Sequence, residues 1–450
     1  MPTASVRAVT PTTVHAPRRR AWLIWPPVAI AATVAQLYRQ AGVPPWRTIW
    51  AEDGRTFFAG TGSVGRLLDP YAGYLELIPR ALGLAGHLVP LHDLAVYYAI
   101  AGAILTTICA AAVWRFTRQI VPSTVLRAVL ALSVVLAPTM ILEQLANGVN
   151  TIWAVAFAAW WAVVYRPDSN TDAAAPAAVV FLAVVSQALA LAYAPVVAYN
   201  AWKRRERPTL LVAAAFTVGA FVQLVVMARA TDDTLSGTHH FGDFPKIYGV
   251  RVLGSMLVSE RRLGDVWTAL GDTLPVLAAL VAIGALVLLF RFAAARRGVA
   301  GVTVLYSVAL YGLTLWGRGT VGLRIGTRYH SAGNRYASLS IWLLLSGLCI
   351  LAANAGRRTR AVAIVVIAAQ FAVVAFLGFR GANPRSEASS WSDSLHTAAA
   401  QCARTRSPTA TALVVPRVRT FEVRVSCAEL RREFASGAAR RLRGEARPFP

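Results

Sequence analysis

Two adjacent carboxylates, Glu52 and Asp53, follow the first long apolar stretch of the chain, within the segment IWAEDGRTFF at residues 49–58. Acidic side chains beside a membrane span are costly unless water, a metal ion or a substrate meets them. We therefore take this pair as the candidate reactive centre. The alternative is that both acids only pair with nearby arginines such as Arg47 or Arg55.

A second candidate region is the segment GRGTVGLRIGTRYHSAGNRY at residues 317–336. Guanidinium groups bind phosphate through paired hydrogen bonds, and backbone exposed at glycines can add further donors. The region therefore favours binding of a lipid phosphate or pyrophosphate. The alternative is a loop that touches anionic headgroups without selectivity. Its polar candidates are Arg318, Arg324, Arg328, Tyr329, His330, Arg335 and Tyr336.

Two further segments carry polar side chains near the ends of apolar stretches. DPYAGYLELIPR, residues 69–80, contributes Tyr74 and Arg80, and its pattern is typical of an amphipathic segment lying in the membrane interface. LEQLANGVNTIW contributes Asn147 and Asn150 beside Glu143. The two asparagines either line the floor of a cavity or cap the neighbouring helices, since asparagine is a good helix cap.

Metal and nucleotide sites receive little support from the sequence. His239, His240 and Asp243 lie close together in a loop, but adjacent histidines without helical spacing are weak evidence for metal ligation. We predict no cofactor, although a divalent metal ion remains an alternative. No glycine-rich nucleotide-binding motif is visible.

The composition predicts a membrane protein. Of 450 residues, 56% are hydrophobic and only 15% are charged, which is far from a soluble domain and indicates many transmembrane helices. The net charge of +24 comes almost entirely from arginine, which suits cytoplasmic links and contacts with membrane-lipid phosphates. A nucleic-acid partner is not predicted, because the arginines are spread between apolar stretches and form no basic domain.

Apolar stretches recur at the length of about 20 residues that a membrane span needs. The predicted spans are residues 21–37, 94–114, 126–143, 150–165, 209–228, 274–292, 299–316, 337–353 and 361–379.

The apolar stretch at residues 176–202 is an exception, because Arg166 precedes it and the basic cluster 203–207 follows it. As a single crossing, it would place that cluster and the later arginine-rich links outside the cell. A hairpin of two short helices turning near residues 186–189 keeps them all inside. The sequence therefore predicts an all-α polytopic protein of the cell membrane with about 11 membrane segments, its N-terminus inside and its C-terminus outside.

The predicted organisation has three parts. Residues 1–20 form a disordered cytoplasmic tail, and residues 21–379 form a transmembrane domain with a large first extracytoplasmic loop at 38–93. Residues 380–450 form an extracytoplasmic tail, a small α/β appendage with strand-like LVVP and VRVS segments. Cys402 and Cys427 lie in this tail and form a disulfide if it is exported; the alternative is two unrelated buried thiols.

The motifs resemble those of a known class. W-x-E-D-G-x-x-F at Trp50–Phe57 and G-Y-L-x-x-x-P-R at Gly73–Arg80 resemble segments of actinobacterial membrane proteins of the GT-C class of polytopic glycosyltransferases. The resemblance covers most of residues 20–380, and the cysteine-bearing tail is similar to the ends of that group. It is moderately specific for the class and says little about the substrate.

The resemblance implies transfer of a sugar from a polyprenyl-phosphate donor to an extracytoplasmic acceptor, a cell-envelope glycan, lipid or protein, with inversion at the anomeric carbon. By motif position, Asp53 is the expected general base and Glu52 the alternate or orienting acid. Arg335, with Arg328 or Arg80, is expected to hold the donor phosphate. The predicted substrate-binding residues further include Tyr336, Tyr74, Asn147 and Asn150.

A transporter or flippase of lipid-linked envelope precursors is the alternative function. Ion-coupled carriers usually place ionisable residues within their spans, whereas the spans here contain chiefly glutamines, with charges near the ends. No convincing internal repeat supports a carrier built from two halves. The glutamines concerned are Gln36, Gln187, Gln223 and Gln370.

Overall fold

The computed structural model describes residues 21–50, 52–136, 143–231, 241–318, 334–383, 385–404, 407–414 and 422–435. Helices dominate these residues, and a two-stranded sheet lies near the C-terminus. The elements are α1 (Ala21–Tyr38), α2 (Leu77–Gly86), α3 (Leu94–Phe116), α4 (Thr124–Leu136), α5 (Thr151–Val164), α6 (Asn170–Val184), α7 (Ala194–Arg204), α8 (Arg207–Arg229), α9 (Phe244–Tyr248), α10 (Ser255–Val258), α11 (Glu260–Leu270), α12 (Thr273–Phe292), α13 (Arg297–Arg318), α14 (Arg335–Ala353), α15 (Arg357–Leu377), α16 (Trp391–Arg404), β1 (Thr409–Leu413), β2 (Glu422–Ser426) and α17 (Cys427–Ala435).

Most of the predicted membrane spans coincide with observed helices, and residues 137–142 of the predicted span at 126–143 lie outside the described residues. In the described part of the chain, six helical stretches are long and apolar enough to cross a membrane, and they correspond to α3, α8, α12, α13, α14 and α15. Shorter apolar helices are α2, α4, α5 and α6. The chain is therefore a multi-pass helical membrane protein, while the total of about 11 segments stays a prediction.

Helices α5 and α14 form the centre of the membrane domain. Both are apolar on all sides and almost completely buried, which is typical of a helix surrounded by protein. Within its most apolar window, 83% of α14 lies inside the protein, compared with 17% for α12 and α15. Helices α12 and α15 therefore expose most of their surface.

The segment at residues 170–204 leaves one end of the bundle and returns to it. At its turn, Val185 O accepts a hydrogen bond from the Leu77 backbone N–H at 3.1 Å, which places the turn against α2. At its base, Arg166 forms an ion pair with Glu206. Because both flanks of the segment meet, α6 and α7 have the course that the hairpin interpretation requires.

The arginine-rich links gather at one end of the bundle, which we call the arginine end. Gln119 Nε2 donates to Arg166 O at 2.6 Å, and Asn354 Nδ2 donates to Ile120 O at 3.1 Å. The links at residues 115–127, 166–172, 203–207, 291–297 and 354–360 belong to this end. The first loop and the C-terminal tail lie at the opposite end, the loop end. That the arginine end faces the cytoplasm stays a prediction.

The C-terminal tail contains the expected mixture of helix and strand. Strands β1 and β2 pair antiparallel, with Thr409 opposite Ser426 and Leu413 opposite Glu422. The predicted disulfide between Cys402 and Cys427 is present, with the two Cα atoms 5.7 Å apart. The first strand lies earlier than the LVVP segment that we predicted, since only Leu413 of that segment belongs to β1.

The tail packs on the first loop. Trp391 Nε1 donates to Leu91 O at 2.7 Å, and the two regions share a buried apolar cluster that includes Ile49 and Val423. The backbone at Gly54 approaches the sheet so closely that a Cβ atom there would lie 2.8 Å from the Val423 side chain. Only glycine therefore fits between the loop and the sheet without displacement.

Arg385 links the tail to the first loop and to the chain before α5. Its guanidinium is buried and donates to Thr48 Oγ1 at 2.9 Å, to Pro45 O at 2.8 Å and to Leu145 O at 2.8 Å. Further donations reach Thr48 O and Ala146 O. A buried guanidinium with this many acceptors fixes three distant segments relative to one another.

We expect Arg385→Met to reduce the free energy of unfolding by about 3–5 kcal/mol, because it leaves buried carbonyl groups without donors. Thermal unfolding of the purified protein in detergent measures the effect. Arg380→Met is the matched control, because Arg380 is exposed. Equal melting temperatures for the two variants would contradict the structural role of Arg385.

Candidate functional site

Glu52 and Asp53 lie at the start of a short, wide helical turn that is buried between α2 and the tail. The turn covers Asp53–Phe58, Glu52 is the residue before it, and Asp53, Gly54 and Phe57 are buried. Helix α2 packs directly on it, since a Cβ atom at Gly83 would lie 2.1 Å from Phe57 O. This packing holds the backbone beside Glu52 in place.

Asp53 binds the backbone just before α5. Its Oδ2 accepts the Gly148 N–H and its Oδ1 accepts the Val149 N–H, both at 2.8 Å. The carboxyl group is 1% exposed. Burial raises the pKa of Asp53 to about 7, while the two N–H bonds and the nearby Arg385 charge act in the opposite direction. Both oxygens of Asp53 therefore hold the protein backbone.

Glu52 has a different environment. Its Oε1 lies 3.5 Å from Arg335 Nη1, and its buried Oε2 has no hydrogen-bond partner in the described part of the chain. The Nε of Arg335 lies 3.8 Å from Glu143 Oε2. The structure thus brings together Glu52, Glu143 and Arg335, one guanidinium between two carboxylates at the loop end.

Arg335 is positioned by the start of α14. Gln144 Nε2 donates to Arg335 O at 3.0 Å and to Ser338 Oγ at 2.7 Å, so the segment before α5 anchors the first turn of α14. The Arg335 guanidinium lies 5.3 Å from the ring centre of Tyr336, whose edge meets Trp153. Tyr336 therefore lies beside Arg335 at the start of α14, and its predicted contact with the substrate stays a prediction.

The side chains of Asn147 and Asn150 form hydrogen bonds within the turn that precedes α5. Asn147 Nδ2 donates to Glu143 O at 2.5 Å, and Asn150 Nδ2 donates to the same oxygen at 2.8 Å. Asn147 Oδ1 also accepts the Asn150 N–H. These contacts stabilise the turn that supplies Glu143 to the site. The Asn150 side chain forms no hydrogen bond that caps α5, and the predicted role of the two asparagines in binding substrate stays a prediction.

Arg80 also forms hydrogen bonds within the protein. Its guanidinium donates to Asp69 O at 2.9 Å, to Pro70 O at 3.0 Å and to Thr61 Oγ1 at 3.2 Å. Because these bonds occupy its three nitrogens inside the first loop, the geometry does not support the predicted phosphate contact of Arg80. Tyr74 pairs with Tyr71 through backbone hydrogen bonds at 2.8 and 3.2 Å and shapes the same loop.

Several predicted candidates lie outside the described residues. These are Arg324, Arg328, Tyr329 and His330 in the segment before α14, together with His239 and His240. Among the described residues, no group of three or more histidine, cysteine, aspartate or glutamate side chains could hold a metal ion.

The sequence analysis did not single out Gln144 or Arg385, although both position the site. Glu143 was noted only as a neighbour of the two asparagines. A lone arginine in a polar tail carries no local pattern, because its partners are carbonyl groups of remote segments. The one signal available for Glu143 and Gln144 was their position at the end of an apolar stretch.

Comparison with solved structures finds a structural similarity. No protein-family model matches the chain, and no curated protein matches it. The crystal structure of ArnT from Cupriavidus metallidurans bound to undecaprenyl phosphate aligns with 73% of this chain and 77% of its own chain, at 16% identity and a TM-score of 0.29.

The raised pKa of Asp53 predicts a dependence of stability on pH. The folded protein retains this proton up to about pH 7, whereas the unfolded chain loses it near pH 4, about the ordinary value for aspartate. The contribution of Asp53 to stability is therefore complete below about pH 4, decreases as the pH rises towards 7 and is lost above that value.

We expect the melting temperature of the wild-type protein to fall more between pH 5 and pH 7.5 than that of Asp53→Asn, which cannot titrate at this position. Thermal unfolding of both proteins in the same detergent provides the comparison. Parallel pH curves would show that Asp53 does not change its protonation in this range.

Proposed function

We propose that the protein is an inverting glycosyltransferase of the GT-C type, which moves a sugar from a polyprenyl-phosphate donor to an acceptor at the loop end of the membrane domain. The observation that carries this proposal is the contact between Glu52 and Arg335 at 3.5 Å. A carboxylate and a guanidinium that are 283 residues apart in the chain meet beside a membrane span, where such groups are rare unless they act.

Glu52 is the better candidate for the general base. One of its oxygens has no hydrogen-bond partner among the described residues, whereas both oxygens of Asp53 accept backbone N–H groups. A base needs a free oxygen within reach of the acceptor hydroxyl. The proposal therefore exchanges the roles expected from the motif: Glu52 takes the proton, and Asp53 positions the segment that carries Glu52.

Arg335 is the candidate for stabilising the leaving group. Its contacts with Glu52 and Glu143 are long, at 3.5 and 3.8 Å, so its donors are not committed to a tight paired bridge. A guanidinium at this position can turn towards a phosphate and favour the charge that grows on it in the transition state. Arg328, only seven residues earlier in the chain, is the proposed second cation.

The proposed reaction is a single displacement. The acceptor oxygen forms a bond to the anomeric carbon from the face opposite the phosphate, and its proton passes to the Glu52 carboxylate. The bond between the anomeric carbon and the phosphate oxygen breaks at the same time, and the polyprenyl phosphate departs with the electron pair towards Arg335. The configuration at the anomeric carbon is therefore inverted.

We expect Glu52→Gln to lower the rate of sugar transfer by about 10²- to 10⁴-fold, because the amide cannot accept the proton. Release of polyprenyl phosphate from a panel of polyprenyl-phosphate sugars measures the rate. Glu387→Gln is the control, since Glu387 is an exposed acid of the tail. A Glu52→Gln rate near that of wild type would remove the base assignment.

The variant Asp53→Asn distinguishes the roles of Glu52 and Asp53. If Asp53 only positions the segment, we expect its loss of activity to be accompanied by a lower melting temperature, because an amide cannot accept both N–H groups. Complete loss of transfer with unchanged thermal unfolding would return the role of base to Asp53.

Arg335→Ala should raise the KM for the donor more than the KM for the acceptor, because it removes a phosphate contact and leaves the acceptor contacts in place. Arg335→Lys should restore part of the donor affinity, since it retains the charge but not the paired hydrogen bonds. Arg55→Ala is the control, because Arg55 is an exposed arginine of the turn that follows Glu52. An unchanged KM for the donor in Arg335→Ala would exclude the phosphate role.

A further inference from the structure

Helix α12 is flanked by two apolar grooves. It packs on α14 and on the helical turn at Gly249–Gly254, and it remains separated from α15 on one side and from α13 on the other. Only 17% of its apolar window lies inside the protein. Sequence neighbours such as α12 and α13 usually pack together, so a separation on both sides of one helix requires an explanation.

The first groove lies between α12 and α15, with α14 as its floor. Its volume is about 540 Å³, which falls within the range of about 300–1,000 Å³ for ligand pockets. Its walls include Ala285, Leu288, Trp342 and Val366. Along α15 it extends from Arg358 to Val374, a distance of about 24 Å at 1.5 Å per residue. These dimensions and walls suit an extended hydrocarbon chain.

The two ends of the first groove differ. At the loop end, Gln370 Nε2 donates to Met256 O at 3.1 Å and to Leu257 O at 2.8 Å, which holds α10 across the groove. At the arginine end, Arg358 and Thr359 line the opening. The groove is therefore apolar inside and cationic at the end towards the predicted cytoplasmic leaflet.

The second groove repeats this arrangement on the other side of α12. It has a volume of about 450 Å³, and its walls include Phe290, Val304 and Leu351. Arg291 lines it, at the same end of α12 as the arginine of the first groove. A Cβ atom added at Gly301 would meet nothing within 4 Å, so this groove is open beside α13.

The sequence around both openings is strongly basic. Residues 285–305 and 350–365 contain six arginines and no aspartate or glutamate. The guanidinium groups of Arg291 and Arg358 form no hydrogen bond or ion pair with another described residue. A guanidinium at the membrane surface attracts anionic lipid headgroups, and basic pockets between transmembrane helices bind such headgroups.

We infer that anionic phospholipids of the leaflet at the arginine end bind in the two grooves beside α12. One acyl chain lies along each groove, and the phosphate of each lipid is held by Arg358 in the first groove and by Arg291 in the second. These sites are about 28 Å from Arg335, since the 19 residues of α14 separate the two ends. They are therefore distinct from the Glu52–Arg335 site and do not depend on the proposed function.

Native mass spectrometry of the full-length, delipidated protein tests this inference, with phosphatidylglycerol and phosphatidylcholine of identical acyl chains as probes. We expect two phosphatidylglycerol molecules to bind in preference to phosphatidylcholine. Arg358→Ala and Arg291→Ala should each weaken one of the two sites about fivefold, and the double variant should weaken both. Arg360→Ala is the matched control, because Arg360 is on the same turn of α15 but does not line the groove.

Groove-filling variants provide a second measurement. Ala285→Phe should exclude the lipid from the first groove, and Gly301→Phe should exclude it from the second, without removing any charge. Thermal unfolding without lipid establishes that each variant is folded. The expected result is that added phosphatidylglycerol raises the melting temperature of the wild type more than that of the filled variants.

Three results would overturn the inference. The first is equal binding of the two phospholipids, and the second is an equal loss of affinity in Arg360→Ala and Arg358→Ala. The third is preferential binding of undecaprenyl phosphate that Ala285→Phe abolishes while phosphatidylglycerol binding persists, since this would assign the first groove to the tail of a donor lipid.

Discussion

The carboxylate of Asp53 accepts the N–H groups of Gly148 and Val149, and the geometry of the candidate site depends on this interaction. It joins the first loop to the turn that precedes α5. The same turn carries Glu143 and Gln144, which contact Arg335 at the start of α14. A buried carboxyl group with two backbone donors therefore determines where Glu52 lies relative to Arg335.

Two buried arginines stabilise the junction between the first loop and the turn that precedes α5. Arg385 crosses from the tail to carbonyl groups on both sides of the junction, and Arg80 holds the first loop closed through the carbonyl groups of Asp69 and Pro70. Charged groups are expensive to bury, and these two are tolerated because backbone oxygens surround them. Arg335 differs, since its long contacts with two carboxylates leave it able to change partners.

The membrane domain has polar residues at each end and apolar packing between them. Helices α5 and α14 pass through the centre and connect the acidic junction with the arginine-rich links. Helix α12 packs loosely beside them and leaves grooves on both sides. Little packing holds α12 to α13 and α15, so the lipid binding that we infer would stabilise this side of the bundle, while hydrogen bonds stabilise the candidate site at the loop end.

The sequence by itself determined that the chain is a multi-pass helical membrane protein and where its long apolar helices lie. It also pointed to the disulfide in the tail and to the acidic pair. Apolar stretches of membrane length carry a strong local signal, so α3, α8 and α12–α15 begin and end close to the predicted residues. The same local signals indicated the turn between α6 and α7, because basic residues flank both sides of that stretch.

Only the tertiary structure decided what each polar residue does. Glu52 and Asp53 are adjacent in sequence, but one faces Arg335 and the other faces the backbone before α5. Arg80 and Arg335 are both arginines in glycine-containing segments, yet one is enclosed by carbonyl groups and the other lies between carboxylates. The physical reason is that the role of a charged side chain is determined by its partners in space, and these partners come from segments that are far apart in the chain.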